Sequence, residues 1–382
     1  MRRVGYHPSH AGSALDHPRC DGFGGVRAWR AEPTLVRVPP VKERGTPKSR
    51  SGGRPAADRL ADAVALDRPL RVGISSCLLG NEVRFDGGHK RDRFLTDVLG
   101  PHVEWVPVCP ELEAGMGVPR EAVRLVGEPR ALRMMGVHSG ADHTSVMRRF
   151  AAGRVRALAA LDLAGFVLKK DSPSCGMERV RVYRPGGGVP SRAGRGLFAA
   201  TLIAALPLLP VEEEGRLNDP VLRENFIERL FCYRRWRNLA ATHPARGALV
   251  RFHTVHKLTL LAHSPRHYTD LGRLLGQRSS VSPAAVAARY GALFMAALGV
   301  HATARKHTNV LQHIAGCCRE HLSPPARREL AAVIEDYGRG LVPLVVPITL
   351  LKHHVEEHDI AYVKDQLYLQ PHPKELMLRN HV

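Results

Sequence analysis

The chain has 382 residues, of which 44% are hydrophobic, and a formal net charge of +20 at pH 7. No stretch reaches the roughly 18–20 uninterrupted apolar residues of a membrane span, and the start, MRRVGYHPSH, lacks the apolar segment of a secretory signal. Seven scattered cysteines are too few for a disulfide framework. These features exclude membrane-spanning and disulfide-rich secreted proteins, and we expect a cytoplasmic protein whose thiols perform chemistry or bind metal.

The positive charge is spread along the whole chain. Lysine and arginine exceed aspartate and glutamate by six in residues 1–70, by seven in 71–210 and by seven in 211–382. A basic surface favours polyanions, and nucleic acid is the most common of these in a cell. A GC-rich genome, whose codons favour arginine, is the competing explanation of this basic composition, so charge alone leaves both interpretations open.

Residues 1–69 lack the pattern of a folded domain. The segment PPVKERGTPKSRSGGRPAADR mixes proline, glycine, serine and charge without an apolar period. Such a composition buries too little apolar surface to offset the entropy of ordering the chain. The sequence therefore predicts a disordered basic tail.

Residues 70–212 predict an α/β domain. RVGISSCLLG, VEWVPVC and GFVLKKDSPSCG are short apolar runs that lead into turns, as buried strands do, and PLLPVEEEGRL resembles a further strand. TSVMRRFAAGRVRALAALDLAG and GRGLFAATLIAAL have the apolar spacing of helices. Strands that alternate with helices are typical of a parallel, Rossmann-like sheet with helices on both faces.

Residues 218–382 predict an all-α helical domain. Segments such as FIERLFCYRRW and AAVAARYGALFMAALG carry an amphipathic period, and proline and glycine separate the segments at short intervals. This region also holds 14 of the 21 histidines.

Three cysteines occupy the same position in their local patterns. Cys77, Cys109 and Cys175 each follow an apolar strand and lie in a turn-rich loop. Because the carboxyl ends of parallel strands share one sheet edge, where ligands bind, we expect the three thiols to converge. Three soft thiolates suit one iron–sulfur cluster with an open iron, or zinc, although no spacing matches a CxxC zinc ribbon. The competing interpretation is that each cysteine is a small buried hydrophobe.

Polar residues beside these cysteines are catalytic candidates. Glu111, in the CPE sequence, is suited to act as a general base or acid once desolvated, or else forms a surface acidic pair with Glu113. Ser172 precedes Cys175 by three residues and can orient a bound heterocycle, although Ser-Pro is also a turn signal. Asp86 in VRFDGGHKR is a candidate substrate contact, although Asp-Gly is equally a turn.

The sequence blocks around the cysteines resemble a known family. SSCLLGNEVRFDGGHKR, VPVCPELEAGMGVPRE and LKKDSPSCG are similar to the three signature blocks of the thiouracil desulfidase (TudS) family over residues 72–210. The resemblance implies a [4Fe-4S] cluster whose free iron takes the sulfur of a thiolated pyrimidine. The implied ligands are Cys77, Cys109 and Cys175. The implied catalytic pair is Glu111 and Ser172.

The helical region has a resemblance of its own. VRFHTVHKLTLLAHSPRHY, ARKHTNVLQHIAG, LVPLVVPITLLKHH and YLQPHPKELMLRNHV are similar to the helical domain of YbgA-type proteins over about residues 220–382. Where relatives tend to have an aromatic pair, this chain has Cys317 and Cys318. The fusion of both domains resembles the RudS-type tRNA 4-thiouridine desulfidases. This implies that the helical domain holds RNA while the first domain removes sulfur.

Histidines and basic residues in the helical region allow three interpretations. One is a phosphate-contacting face. Its basic residues are Lys257, Arg305 and Lys306, which fall beside His253, His256 and His307. The second is a metal site, because His253 and His256 are three residues apart and His353 and His354 are adjacent. The third is a set of buried, hydrogen-bonded histidines.

The favoured function is non-redox, hydrolytic desulfuration of 4-thiouridine in tRNA or of free thiouracil. The thio sulfur binds the open iron, Glu111 or a cluster-bound species deprotonates water, and Ser172 steadies the ring or relays a proton. Two alternatives remain. One is a sulfur carrier or transferase that uses the cysteines as persulfide sites without iron. The other is a non-enzymatic RNA-binding protein whose cluster is a sensor.

Overall fold

The computed structural model describes residues 66, 69–128, 131–277 and 281–381. The tail predicted to be disordered, residues 1–69, lies outside the described residues except for Leu66 and Pro69. No helix within the described ranges is long and apolar enough to cross a membrane.

The described residues form eight strands in two four-stranded sheets. In chain order the strands are β1 (Leu70–Ser75), β2 (Val103–Val108), β3 (Val123–Val126), β4 (Arg133–Gly136), β5 (Gly165–Leu168), β6 (Val180–Tyr183), β7 (Ser191–Gly194) and β8 (Val211–Glu213). The first sheet has the order β2-β1-β5-β8 and all its pairs are parallel. This confirms the predicted parallel sheet. The second sheet, β4-β3-β6-β7, is mixed, and the sequence analysis did not predict it.

The central strands of the parallel sheet are buried on both faces. In β1, Val72 and Ile74 are fully buried, and all four residues of β5 are buried. Such continuous apolar burial is typical of parallel strands covered by helices. A Cβ at Gly73 would lie 2.1 Å from the ring of Phe166, so the ring can pack over β1 only because residue 73 is glycine.

Helices cover the sheet and form most of the described residues after Glu213. In chain order they are α1 (Thr144–Ala159), α2 (Leu197–Ala205), α3 (Pro220–Ala240), α4 (Arg246–Val255), α5 (Lys257–His263), α6 (Pro265–Gly276), α7 (Pro283–Leu298), α8 (Ala304–Cys318), α9 (Pro324–Gly338), α10 (Val345–Glu357) and α11 (Ala361–Lys364). In α1 the buried Met147, Ala151, Val155 and Leu158 recur at three- and four-residue steps, as an amphipathic helix requires. The helices predicted for 144–165 and 194–206 and the helical region after 218 are therefore confirmed, although the first ends at Ala159 and the second spans Leu197–Ala205.

One hydrophobic core continues across the boundary predicted near residues 212–218. The carboxylate of Asp219 caps α3 by accepting hydrogen bonds from the first amides of the helix. Trp236 of α3 belongs to the same core cluster as Phe166 of β5. At the other end of the chain, Leu376 and Leu378 pack in the core cluster of β1. The helical region is thus attached to the sheet through its first helix and through its last residues.

Candidate active site

Three cysteine side chains line one cavity of about 400 Å³ at the carboxyl end of the parallel sheet. Cys77 lies in the turn after β1, Cys109 follows β2 directly, and Cys175 lies in the loop after β5. Because β1 lies between the other two strands, the strand order changes direction here, and such a switch opens a crevice for ligands. The structure brings together the three cysteines that the sequence singled out.

The start of α2 fixes the loop that carries Cys175. The amide of Leu197 donates a 3.1 Å hydrogen bond to the carbonyl oxygen of Pro173, which satisfies one of the unpaired donors at the helix N-terminus. A Cβ at Gly196 would lie 2.4 Å from the carbonyl oxygen of Ser174, so this close approach requires glycine. The thiol of Cys175 is therefore held by backbone contacts before any ligand arrives.

The chemistry of the three side chains indicates which group they can hold. Thiolates are soft ligands that select iron–sulfur clusters, zinc or copper(I). Cys77, Cys109 and Cys175 come from three separate loops, and none of them belongs to a CxxC pair of the kind found in zinc ribbons. The cavity of about 400 Å³ that they line has room for a group of several atoms.

Burial raises the pKa of all three thiols. The pKa of Cys77 rises to about 11, although the ammonium of Lys169 acts against this rise. Burial likewise raises the pKa of Cys109, and it raises that of Cys175 furthest, against hydrogen bonds with Ser75 and a neighbouring serine. Without a bound cation the thiols stay protonated near pH 7, so thiolates form here when a metal group supplies positive charge.

Glu111 and Arg120 form a buried ion pair at the cavity. Their side chains are 12% and 6% exposed. Nε of Arg120 donates a hydrogen bond to Oε2 of Glu111 at 3.1 Å, and one terminal nitrogen of the guanidinium donates to the same oxygen. Its other terminal nitrogen donates to the carbonyl oxygens of Val83 and Gly117, at 3.1 and 2.9 Å. Arg120 therefore orients the carboxylate and neutralises its charge.

A chain of hydrogen bonds joins Glu111 to Ser172. The hydroxyl of Ser174 donates to Oε1 of Glu111 at 2.7 Å. The hydroxyl oxygens of Ser172 and Ser174 are 3.0 Å apart, and because a serine has one hydroxyl proton, Ser172 is the donor in this second bond. The oxygen of Ser172 also accepts a bond from the amide of Cys175 at 3.1 Å. The two residues predicted as a catalytic pair are therefore connected through Ser174.

Two of these groups were missed by sequence reasoning. Ser174 lies in the DSPSCG block beside a cysteine, so its position in the block was a signal that it contacts the site. Arg120 lies nine residues after Glu111, beyond a turn, and no periodic pattern links the two. The contact of Arg120 with Glu111 depends on the path of the loop, which sequence spacing does not give.

Comparisons with known proteins cover both regions of the chain. The family model described as 2-thiouracil desulfurase matches residues 72–214, and a model described as a protein of unknown function (DUF1722) matches residues 257–373. The uncharacterized protein YbgA of Escherichia coli (strain K12) is 32% identical over 160 residues, which cover 41% of this chain and 94% of that protein. The uncharacterized protein YbbK of Bacillus subtilis (strain 168) is 31% identical over 151 residues, which cover 38% of this chain and 97% of that protein.

The chain belongs to the 2-thiouracil desulfurase family, with a YbgA-type helical region fused to that domain. Both resemblances seen in the sequence are thereby confirmed. A solved structure described as the [4Fe-4S]-dependent thiouracil desulfidase TudS is also similar, with 31% identity and a TM-score of 0.33. The similarity covers 41% of this chain and 97% of that one. We refer to residues 72–214 as the desulfurase domain and to residues 218–382 as the YbgA-type region.

Cationic side chains surround the cavity of the desulfurase domain. Besides Arg120, they are Arg84, Lys90, Lys169, Lys170 and Arg181. Arg181 pairs with Asp171 at 2.8 Å, and Lys169 pairs with Glu214. Lys90 and Lys170 are exposed at the rim. The mouth of the cavity is therefore positively charged.

An aromatic ring and a turn complete the rim. Phe85 lines the cavity, is 39% exposed, and has the guanidinium of Arg84 at 5.4 Å from its ring centroid. Asp86, the candidate substrate contact, lies next to it but is not among the residues that line the cavity. Its Oδ1 accepts a 3.1 Å bond from the amide of Gly88, which with Arg84 lowers the pKa of this exposed carboxyl. The structure therefore places Asp86 in the turn that its Asp-Gly sequence indicated.

The three candidate phosphate contacts of the YbgA-type region differ in their surroundings. Nζ of Lys306 donates to two backbone carbonyl oxygens in neighbouring turns, at 2.7 and 3.1 Å. Nζ of Lys257 contacts the hydroxyl of Tyr362 and lies 5.0 Å from the centroid of that ring. Arg305 is exposed. Lys306 is anchored to the backbone, whereas Arg305 has its charge in solvent.

The histidines near these cations lie largely inside the protein. Burial lowers the pKa of His256 and of His307 to about 3, and that of His253 to about 4. Nδ1 of His256 bonds to the carbonyl oxygen of Phe252 at 2.8 Å, and Nδ1 of His307 bonds to the hydroxyl of Tyr368 at 2.8 Å. These contacts favour the interpretation of buried, hydrogen-bonded histidines for these three rings.

Proposed function

We propose that this chain removes sulfur from a thiolated pyrimidine, with a [4Fe-4S] cluster held by three cysteines. The observation that carries the proposal is the shared cavity, in which three thiols lie beside a carboxylate with a hydrogen-bonded path of serines. Membership of the 2-thiouracil desulfurase family supports the same reaction. The proposed ligands are Cys77, Cys109 and Cys175.

The donor set supports a cluster as the cofactor. Three soft thiolates suit an iron–sulfur cluster, and none of their spacings in the sequence matches a CxxC zinc ribbon. When held by Cys77, Cys109 and Cys175, the cluster would supply an iron with an open position, able to bind the thio sulfur and to polarise the carbon–sulfur bond.

The proposed path of the proton runs from Ser172 to Glu111. A water molecule that attacks the ring carbon gives a proton to Oγ of Ser172. The proton of Ser172 moves to Ser174, and the proton of Ser174 moves to Oε1 of Glu111, over bonds of 3.0 and 2.7 Å. Glu111 is thus the general base and Arg120 holds it in place, a role typically worth 10²–10⁴-fold in rate.

The proposed reaction balances without electrons. Water adds its oxygen to the carbon that carried sulfur and the carbon–sulfur bond breaks. Sulfur leaves as hydrogen sulfide, which takes one proton of that water directly and the other from Glu111, so that Glu111 is again a carboxylate. The product carries a carbonyl oxygen in place of the thio group. No external oxidant or reductant takes part.

The raised pKa values argue against the persulfide alternative. A persulfide carrier needs a thiolate nucleophile near pH 7, and such cysteines have lowered pKa values in electropositive, partly exposed surroundings. Here burial raises the pKa of Cys77 to about 11 and also raises those of the other two thiols. These thiols are therefore better suited to bind metal than to attack sulfur.

We further propose that the substrate is 4-thiouridine in tRNA, with free thiouracil as a smaller alternative. The exposed Lys90 and Lys170 at the cavity rim suit the phosphates that flank a nucleotide. Phe85 at the same rim offers a face on which a base can stack. The net charge of +20 favours a polyanionic partner. A free base would use neither the rim lysines nor the basic YbgA-type region.

The test uses the full-length protein, purified without oxygen. We expect a brown protein with about four iron atoms per chain. Loss of thio-base absorbance should accompany release of sulfide, and 4-thiouridine in tRNA should react faster than free thiouracil. A colourless protein that still removes sulfur would support the persulfide carrier. A brown protein that binds RNA but turns over neither substrate would support the sensor.

A further inference from the structure

Three imidazoles surround one carboxylate oxygen at the end of α10, in the YbgA-type region. Oε2 of Glu357 lies 3.6 Å from Nε2 of His353, 3.5 Å from Nδ1 of His354 and 3.6 Å from Nε2 of His358. The ligand atoms of His353, His354 and Glu357 all lie within 4.8 Å of one another. Residues three and four apart are neighbours on a helix surface, which explains why both histidines reach Glu357.

These separations are too long for hydrogen bonds but suit a shared ion. Hydrogen bonds between nitrogen and oxygen are about 2.7–3.2 Å long. Ligands bound tetrahedrally to zinc, at about 2.0–2.2 Å, lie about 3.3–3.6 Å apart. Nδ1 of His354 is moreover buried and has no hydrogen-bond partner within the described ranges of the chain. A buried polar atom without a partner costs about 1–3 kcal/mol, and binding to a metal would satisfy it.

We propose that His353, His354 and Glu357 bind one divalent transition-metal ion of the zinc type. Two imidazoles and one carboxylate are the donor set of zinc sites that keep an open position for water or another ligand. His358 contacts the same carboxylate and stacks on His321 from the turn after α8, with ring centroids 5.9 Å apart. The ion would therefore sit where the end of α10 meets that turn. This site is separate from the three cysteines and does not depend on the proposed desulfuration.

Cobalt(II) binding to the untagged, full-length protein tests the proposal. Cobalt held by nitrogen and oxygen absorbs in the visible range without the intense sulfur-to-cobalt bands of thiolate sites, so the spectrum separates this site from the cysteines. We expect one equivalent of cobalt with a nitrogen and oxygen spectrum, displaced by zinc. Glu357→Gln should weaken this binding by at least the roughly 10–100-fold that loss of an outer partner costs at metal sites.

Glu356→Gln is the matched control, because Glu356 is on the same helical turn but directs its carboxylate to Lys352, at 3.7 Å. This variant should bind cobalt as the unchanged protein does. Zinc should also raise the Tm of the unchanged protein and of Glu356→Gln by more than it raises the Tm of Glu357→Gln, because any zinc bound by the cysteines acts equally in all three. If Glu357→Gln is poorly folded, His353→Asn provides the test, because His353 is exposed. Equal cobalt affinity in Glu357→Gln and the control, or a spectrum of sulfur ligation alone, would overturn the proposal.

Discussion

Ser174 donates a 2.7 Å hydrogen bond to Glu111 although the two residues are 63 positions apart in the chain. The bond joins the loop after β5 to the turn after β2, next to the cavity that the three cysteines line. Because the only hydroxyl proton of Ser174 points to Glu111, the neighbouring Ser172 must donate to Ser174. The direction of these two hydrogen bonds places Ser172 at the substrate end of the series and Glu111 at the end that takes up the proton.

The first prediction concerns Ser174, the middle residue of this series of hydrogen bonds. Ser174→Ala interrupts the path between Ser172 and Glu111 and leaves all three cysteines in place. Turnover of the thiolated pyrimidine should fall about 10²-fold, near the lower end of the range for general base catalysis, with unchanged iron content. Ser191→Ala, on the exposed β7, is the control. Unaltered turnover in Ser174→Ala would mean that Glu111 acts on the substrate directly.

The second prediction concerns the ligands. Replacing any one of Cys77, Cys109 or Cys175 with serine should abolish iron binding and activity together, because three thiolates leave no spare ligand. Iron analysis and turnover measured on the same samples provide the check. Cys317→Ser is the control, because Cys317 lies in α8, outside this cavity. A variant of Cys175 with full iron content would exclude it as a ligand.

The third prediction concerns the ion pair of Glu111 and Arg120. Removing one partner of a buried pair costs about 3–5 kcal/mol, since the other charge is left uncompensated. Arg120→Met should therefore lower the free energy of unfolding by this order. In the double variant with Glu111→Gln the total loss should be smaller than the sum of the single losses, by about 0.5–3 kcal/mol. Additive losses in denaturant titrations would show that the two charges do not interact.

The fourth prediction compares the two basic surfaces. Each phosphate contact that is lost should reduce the magnitude of the slope of log affinity for RNA against log salt by about 0.7, the value for single strands, to about 0.9, the value for B-DNA. We expect this reduction for Lys90→Glu, Lys170→Glu and Arg305→Glu. Lys306→Glu should instead destabilise the fold, because Lys306 is bonded to backbone carbonyls. Lys374→Glu, at an exposed site, is the control, and equal slopes in all variants would rule out the proposed contacts.

The fifth prediction concerns acid stability. The pKa of His256 is about 3 in the folded protein, below its ordinary value of 6.5, so the unfolded chain binds more protons between these two values. The contribution of His256 to stability is therefore complete above about pH 6.5 and is lost as the pH falls toward 3. His256→Leu should reduce the slope of unfolding free energy against pH by up to about 1.4 kcal/mol per unit. An unchanged slope between pH 6 and 4 would contradict the assignment.

The parts of the fold that could be predicted are those with a strong apolar pattern. β1 and β5 are continuous apolar runs that end in turns, and α1 repeats apolar residues at helical spacing. The strands of the second sheet have four residues each, and β7 has the sequence SRAG, three of whose residues are exposed. Such a strand has no apolar alternation of its own, and it pairs because β6 lies beside it.

Some residues of the candidate site could likewise be predicted from the sequence, and others could not. Cys77, Cys109 and Cys175 could be expected together because each follows a strand of one parallel sheet. Arg120 could not be placed, because a loop decides which carboxylate it meets. His307 was considered as part of a phosphate-contacting face, yet it is 7% exposed and bonds to Tyr368. The sequence shows the period of a helix, but the packing of other helices decides which stripes of it remain in solvent.

The continuous core has a consequence for the choice of substrate. Trp236 shares a core with Phe166, and Leu376 and Leu378 pack in the core cluster of β1, so the YbgA-type region is packed against the sheet at two places. A folded RNA bound to that region would be presented to the cavity at one distance and one angle. Selection among the thiolated nucleotides of an RNA would then depend on their position in its three-dimensional shape.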